Sequence, residues 1–491
     1  MTSPRPISTR TPIPPRRPAL HFTPERNWIN DPNGLVFHQG RYHLFFQHNP
    51  EGLDHGNISW GHASSVDLLR WDQHAVAIRY DESEQIFSGS VVVDTHNSSA
   101  LGRKGIAPMV AIYTSARTDD VQAQSLAFSI DGGESWSKYA NNPVLDRGSA
   151  DFRDPKVFRY EGRSGSYWVL VAVEAVERRV LFYRSDDLID WTYSSSYGPA
   201  GAVGGVWECP DLFPLPLDGD ESRVRWVLII SVNPGGVAGG SGTQYVVGDF
   251  DGYRFHADET HPQVDALDPA LRGLNWLDYG RDCYAGVTFN GTPADERVLM
   301  AWMGNWDYAS ALPAAQWRGA MTVARRLTLA TIEGRPRLIA APVLPRALGV
   351  IDVSELTISA PHQLGLMPYA ARVDIDDIRG AITVVISDRE HTVRVLLDAV
   401  AGVVQVDRRD ARGGVTSDLF PSIETLRTSG GELGSVTLVL DQGSIEVFCA
   451  GQPSSLTDLL FLGEERTLSV ESDEGASIGH LTMASLAEAP E

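Results

Sequence analysis

Three acidic residues in this chain sit in short, stiff settings at the starts of strands, where the direction of a carboxylate can be fixed. Asp31 lies within Trp28-Ile29-Asn30-Asp31-Pro32-Asn33-Gly34, where Pro32 restricts the backbone and Gly34 releases it into Leu35-Val36-Phe37. Asp154 lies in Arg153-Asp154-Pro155 before Lys156-Val157-Phe158, and Glu208 in Glu208-Cys209-Pro210-Asp211 before Leu212-Phe213. Alone, each reads as a turn that opens a hairpin. Brought together, they offer the parts for glycosidic bond cleavage: one ionised carboxylate as nucleophile or base, and one protonated carboxyl for the leaving oxygen. Asp31, among amide and backbone donors, suits the ionised role. Glu208 follows Trp207 and precedes apolar Cys209 and Pro210, a setting expected to raise its pKa and suit the acid role. Asp154, beside Arg153, suits binding of sugar hydroxyls, with a salt-bridged turn aspartate as the plainer reading.

These acids can meet only if the fold gathers distant strand starts. Alternating strands and turns dominate from residue 33 onward, and helical periodicity is scarce. A turn pattern repeats: Ser65-Val66-Asp67-Leu68-Leu69-Arg70-Trp71 returns as Ser185 to Trp191, with a longer version at Ser129 to Trp136 and a degenerate one at Asp249 to Phe255. In each, the aspartate is expected to bond its own backbone while the ring that follows plugs the hairpin onto the core. A period near sixty residues, with about four short strands per unit, predicts a five-bladed β-propeller over 21–340. The first strand of each blade lines the axis of such a fold. Asp31, Ser88, Asp154, Glu208 and Asp282 are therefore expected around one axial pocket. Planar polar groups and rings suited to sugar are expected beside them: Asn30, Gln47, Trp60, Phe87, Arg153, Tyr284 and Trp302 as substrate contacts, with Asn305 and Trp306 of the same types. Residues 1–20 read as a disordered or surface-wrapping arm, 341–352 as a linker punctuated by two prolines, and 353–491 as a β-sandwich. The all-β reading extends to the carboxyl terminus, where Asp441 and Glu446 read as turn and strand-face residues.

Composition narrows the partners. The charge of −22 disfavours nucleic acid and acidic membrane surfaces and fits a neutral ligand. Cys209, Cys283 and Cys449 form neither a disulfide framework nor a zinc pattern. His38, His43 and His48 recur every five residues, which is not a ligand spacing; they read as turn and strand-surface residues, with no metal site. The Pro- and Arg-rich start carries no apolar run of the export type, so a cytoplasmic protein is the expectation, with secretion as the alternative for a truncated chain.

Over residues 21 to 491 the sequence resembles glycoside hydrolase family 32: the invertases, exo-inulinases and levanases. Trp28 to Gly34, Arg153-Asp154-Pro155 and Glu208-Cys209-Pro210 match its motifs, and Phe87-Ser88-Gly89, Trp302 to Trp306, Gln316 to Gly319 and Ser444 to Phe448 look like further blocks. The resemblance implies a propeller with a sandwich, no cofactor, and a double displacement with retention. Asp31 would be the nucleophile, Asp154 the transition-state stabiliser and Glu208 the acid and then base. The implied activity is exo-acting release of fructose from sucrose, fructo-oligosaccharides, inulin or levan, with transfer to a sugar acceptor as an accompanying outcome. Ser59 and Gly304 depart from the pattern on the leaving-group side. Rival readings are a sialidase-like propeller, which residues 129 to 136 suggest but no arginine cluster supports, and a lectin-like propeller without turnover.

Overall fold

The computed structural model describes residues 15–486 apart from 104, 163–164, 294, 353–361, 364–369, 430–432 and 454. Among the described residues five antiparallel blades, each built on four strands, the first with a short parallel strand added at Trp317–Arg318, are followed by a β-sandwich. The first strands of the blades are Asn27–His38, Glu84–Val93, Phe152–Gly162, Val206–Leu217 and Tyr284–Thr288. They neighbour one another in cyclic order, the fifth returning to the first, so they line a common axis. Blades four and five also touch through a Leu217–Leu329 pairing.

The repeated turns hold the hairpins as their chemistry predicts. Asp67 Oδ1 accepts the Leu69 and Arg70 amides at 2.9 Å each, and Asp187 Oδ1 accepts those of Ile189 and Asp190 at 2.9 and 2.8 Å. Asp131 and Asp251 accept local amides in the same way. The rings that follow are driven inward by apolar burial. Trp71 packs on Phe22 with centroids 6.0 Å apart, and Trp136 stands edge-on to Phe45 at 5.3 Å.

Each inner strand carries an irregularity at a corresponding place, and the first and fourth carry a second one further on. Pairing slips between Ile29 and Pro32, between Phe87 and Gly89, at Asp154-Pro155, between Glu208 and Asp211, and between Tyr284 and Val287. A bulge adds an unpaired residue and re-aims the side chains beside it. Here Asp154, Cys209 and Ala285 take φ of +61°, +45° and +55°, conformations costly for residues with a Cβ. Gly89 is needed at its bulge because a Cβ there would lie 2.2 Å from the Ile112 carbonyl oxygen.

Among the described residues the sandwich has two six-stranded sheets around a Val, Leu and Ile core. Its strands include Ala381–Ser387, Thr392–Asp398, Val436–Leu440 and Ser444–Cys449. Part of the expected linker is itself structured: Leu348–Asp352 pairs with His480–Ser485. The expected arm lies outside the described residues over 1–14, but its end is fastened. The Ala19 and Leu20 amides each donate to Asp441 at 2.9 Å, and buried His21 lies 2.8 Å from Asp441 and 2.7 Å from Glu446. Asp441 and Glu446 are therefore buried tethers rather than turn and strand-face residues. Glu446 also receives Arg325 from the propeller at 2.6 Å.

Burial opposes charge on His21, yet its bonds to Asp441 and Glu446 raise its pKa to about 9. A histidine with a raised folded-state pKa adds stability that is full below its unfolded value of 6.5 and is lost as pH rises through about 9. The unfolding free energy should fall between pH 6 and pH 9.5 by about 3 kcal/mol more in the native protein than in His21→Gln. Parallel slopes in denaturant titrations would refute this tether.

The histidine spacing misled in one respect. His43 and His48 are buried, not surface residues: His43 Nδ1 lies 3.0 Å from His62 Nε2, and His48 Nδ1 bonds the Trp28 carbonyl at 2.9 Å. Burial lowers the pKa of His43 to about 4. Among the described residues no group of three or more His, Cys, Asp and Glu side chains is arranged to hold a metal ion.

Candidate active site

Asp31, Asp154 and Glu208 converge at one end of the propeller axis. The convergence runs through Cys209, whose amide donates to Asp154 Oδ2 at 3.0 Å and whose thiol lies 3.5 Å from Asp31 Oδ2 and 3.8 Å from Asp154 Oδ2. Glu208, the preceding residue, is one-fifth exposed at its side chain and faces solvent more than Asp154 does.

The carboxylates are gripped individually. Asp31 Oδ1 accepts Asn30 Nδ2 at 3.1 Å, and Oδ2 accepts the Ser88 hydroxyl at 2.7 Å. Asn30 is in turn held by Trp28 Nε1 at 2.7 Å, so a chain of bonds from a buried indole sets the direction of Asp31. Arg153 Nη2 donates to Glu208 Oε1 at 3.0 Å, and the Tyr284 hydroxyl donates to Glu208 Oε2. The Asp154 amide donates to Thr114 Oγ1 at 2.9 Å, which holds the strained residue in place.

Electrostatics distinguish the three. Burial pushes the pKa of Asp31 up, and the charge of Glu208 adds to this, while bonds from Ser88, Asn30 and Cys209 pull it back. Burial likewise raises Asp154 to about 7, against the lowering effect of Arg153 and with the added repulsion of Glu208 and Asp31. Two buried carboxyls in the site, Asp31 and Asp154, are thus raised above the ordinary aspartate range. Clustered acids, one buried cation and donors aimed at each carboxylate suit acid–base and nucleophilic chemistry on a neutral substrate.

The other expected contacts divide. Ser88, Asn30, Arg153 and Tyr284 are present, but each holds a catalytic candidate. Phe87 is half-buried and borders the site together with His55 (centroids 6.2 Å apart) and Trp306, which stands 5.5 Å from His55. Gln47 is buried, with its Nε2 engaged by Asn33 at 2.6 Å and the Ile86 carbonyl at 3.0 Å. Trp60 is wholly buried in the core between blades one and two, its Nε1 bonded to the Phe87 carbonyl. Trp302 is enclosed by Trp28, Trp306 and Tyr284, backing the site rather than facing it. Its indole lies over Gly304, where a Cβ would approach to 2.4 Å, which accounts for the glycine there.

Asp282 is not in the pocket. It points to the sandwich, where it accepts Arg408 Nη1 at 2.5 Å, the Tyr308 hydroxyl at 2.7 Å and the Leu459 amide at 2.8 Å. A fully buried carboxylate needs such partners; the second domain supplies Arg408 and Leu459, and the propeller supplies Tyr308. Asn305 is also structural, bonding the Gly239 and Arg281 carbonyls. Sequence reasoning missed Thr114 and His55, whose surroundings carry no motif, and saw Cys209 only as an apolar neighbour.

A model of the glycosyl hydrolases family 32 N-terminal domain matches residues 21–342. The chain belongs to glycosyl hydrolase family 32. Relatives in this family include a levanase of Bacillus subtilis, 47% identical over 67% of this chain and 47% of the levanase. Another is the extracellular exo-inulinase inuE of Aspergillus niger, 44% identical over 67% of this chain and 65% of that protein. The chain thus aligns with about half to two thirds of these family 32 proteins. Over nearly the full length, the crystal structure of exo-inulinase from Aspergillus awamori superposes with a TM-score of 0.88 at 32% identity, covering 97% of this chain and 99% of the other. The extracellular exo-inulinases overturn the expectation of a cytoplasmic protein. That expectation rested on a missing export signal, which says nothing about the compartment of a family 32 member.

Proposed function

We propose that this family 32 protein is an exo-acting β-fructosidase that releases terminal fructose with retention of configuration. One observation carries the reading: Asp31, Asp154 and Glu208 share a single site, linked through Cys209. Asp31 attacks the anomeric carbon of fructose while Glu208 protonates the departing oxygen; Glu208 then removes a proton from the water that releases fructose. Arg153 and Tyr284 hold Glu208 in place, and its partial exposure lets it reach both leaving group and water. Asp154, held by Thr114 and Cys209, accepts hydroxyls of the fructosyl ring as charge develops. The names of the relatives (levanase, exo-inulinase, invertase) favour fructans or sucrose as substrates, and the extracellular ones favour work outside the cell.

Incubation with sucrose, inulin and levan tests this. Fructose should be the sole early product from the polymers, and its first-formed anomer should be β. Early release of oligosaccharides would exclude exo action. The α anomer would exclude retention, and sialic acid release without fructose would point to the sialidase reading.

A further inference from the structure

The axis of the propeller has a second opening. At the far ends of the inner strands, away from the carboxylates, lies a cavity of about 820 Å³. Its lining includes none of Asp31, Asp154 and Glu208. Lys156 Nζ crosses the axis from blade three to Asp211 Oδ2 at 3.1 Å and the Thr288 carbonyl at 2.5 Å. Asn290 Nδ2 ties the Val91 and Val157 carbonyls of blades two and three at 2.9 and 3.0 Å. Between the two ends remains a void of about 20 Å³, the room of a single water.

The walls of the far cavity combine rings with surplus positive charge. Phe158, Tyr160, Trp168, Phe213 and Trp226 line it. Phe158 and Tyr160 lie 5.7 and 6.1 Å from Trp226, forming a continuous aromatic face. Lys156 and Arg297 also line it, and both face the one buried carboxylate of Asp211. Arg159 has its own counter-charge: it donates to Ser166 at 2.7 Å, and its Nε, though without a hydrogen bond, lies 3.8 Å from Glu161. Among the described lining residues one positive charge is therefore left uncompensated. Lys156 bonds Asp211 directly, which leaves Arg297, whose Nη1 donates to the Phe289 carbonyl at 3.3 Å but whose Nε is buried without a hydrogen-bond partner and whose guanidinium lies 5.2 Å over Phe213. A buried, unpaired guanidinium N–H is costly, and an anion is the partner its planar fork fits. The volume lies within the range of small-molecule sites, and flat apolar bodies fit between rings.

We propose that this cavity is a second ligand site that takes a small organic anion, its planar apolar body against Trp226 and its carboxylate or phosphate head at Arg297. Titration calorimetry with benzoate, phenyl phosphate and uncharged benzyl alcohol tests it, with saturating fructose present to occupy the opposite end. One or both anions should bind at least about tenfold more tightly than the alcohol, the tighter identifying the head group, and Arg297→Met should abolish that preference. Independently of any variant, crystals soaked in 4-bromobenzoate should show anomalous bromine scattering beside Trp226. Equal binding of anions and alcohol, a preference that survives Arg297→Met, or bromine only near Arg153 or nowhere would each overturn the proposal.

Discussion

Asp31→Asn should lower turnover of sucrose by at least about 10⁴-fold, the scale of loss when a covalent nucleophile is removed. The amide keeps the shape of the carboxyl and can still meet Asn30 and Ser88, so the fold should survive. A further expectation follows from the environment. Burial and Glu208 raise the pKa of Asp31 in the folded state, so its ionisation as pH rises opposes folding. The amide cannot ionise. At neutral pH the variant should therefore melt at the same temperature as the native protein or higher. Loss of activity with a lowered melting point would indicate misfolding instead, and turnover within tenfold of native would remove Asp31 from the nucleophile role.

Glu208→Ala should lose about 10³-fold on sucrose, whose glucose leaves poorly without a proton. The loss should shrink on a fructoside with an aryl leaving group, which needs little acid assistance. Azide should then accelerate the reaction by entering the space left by the side chain and capturing the fructosyl-enzyme, giving a fructosyl azide of retained configuration. Arg153 loses its bond of 3.0 Å in this variant but keeps Asp154 at 3.9 Å, so the guanidinium is not left without a counter-charge. Equal losses on sucrose and the aryl fructoside, with no azide product, would mean that Glu208 does not handle protons.

The blades and the meeting of three acids were legible because both have local signatures. The aspartate turns bond within themselves, and proline-punctuated strand starts recur at propeller spacing, so residues near one another in sequence carry the information. What escaped depends on partners far along the chain. Asp282 reads in the sequence like Asp31 and Glu208, but it lies two residues ahead of its inner strand, outside the bulge, and turns towards Arg408, 126 residues later. Nothing near Asp282 in sequence announces that guanidinium. Trp60 and Trp302 are the rings a sugar site would use, but rings also fill the wedges between blades, and residue type alone cannot distinguish the two uses. Asp441 and Glu446 likewise looked idle because their partner, His21, lies at the opposite end of the chain.

The bonds of Lys156 and Asn290 across the axis give the carboxylate end a floor. A polymer therefore cannot be threaded through the ring of blades; it can only dip its tip in and withdraw. Under the proposed exo action, the freed monosaccharide would sit beneath the shortened chain and leave by the same mouth. The polymer has to let go before the next cycle, so degradation should be distributive, with all chains in a population shortening together rather than one being consumed to completion.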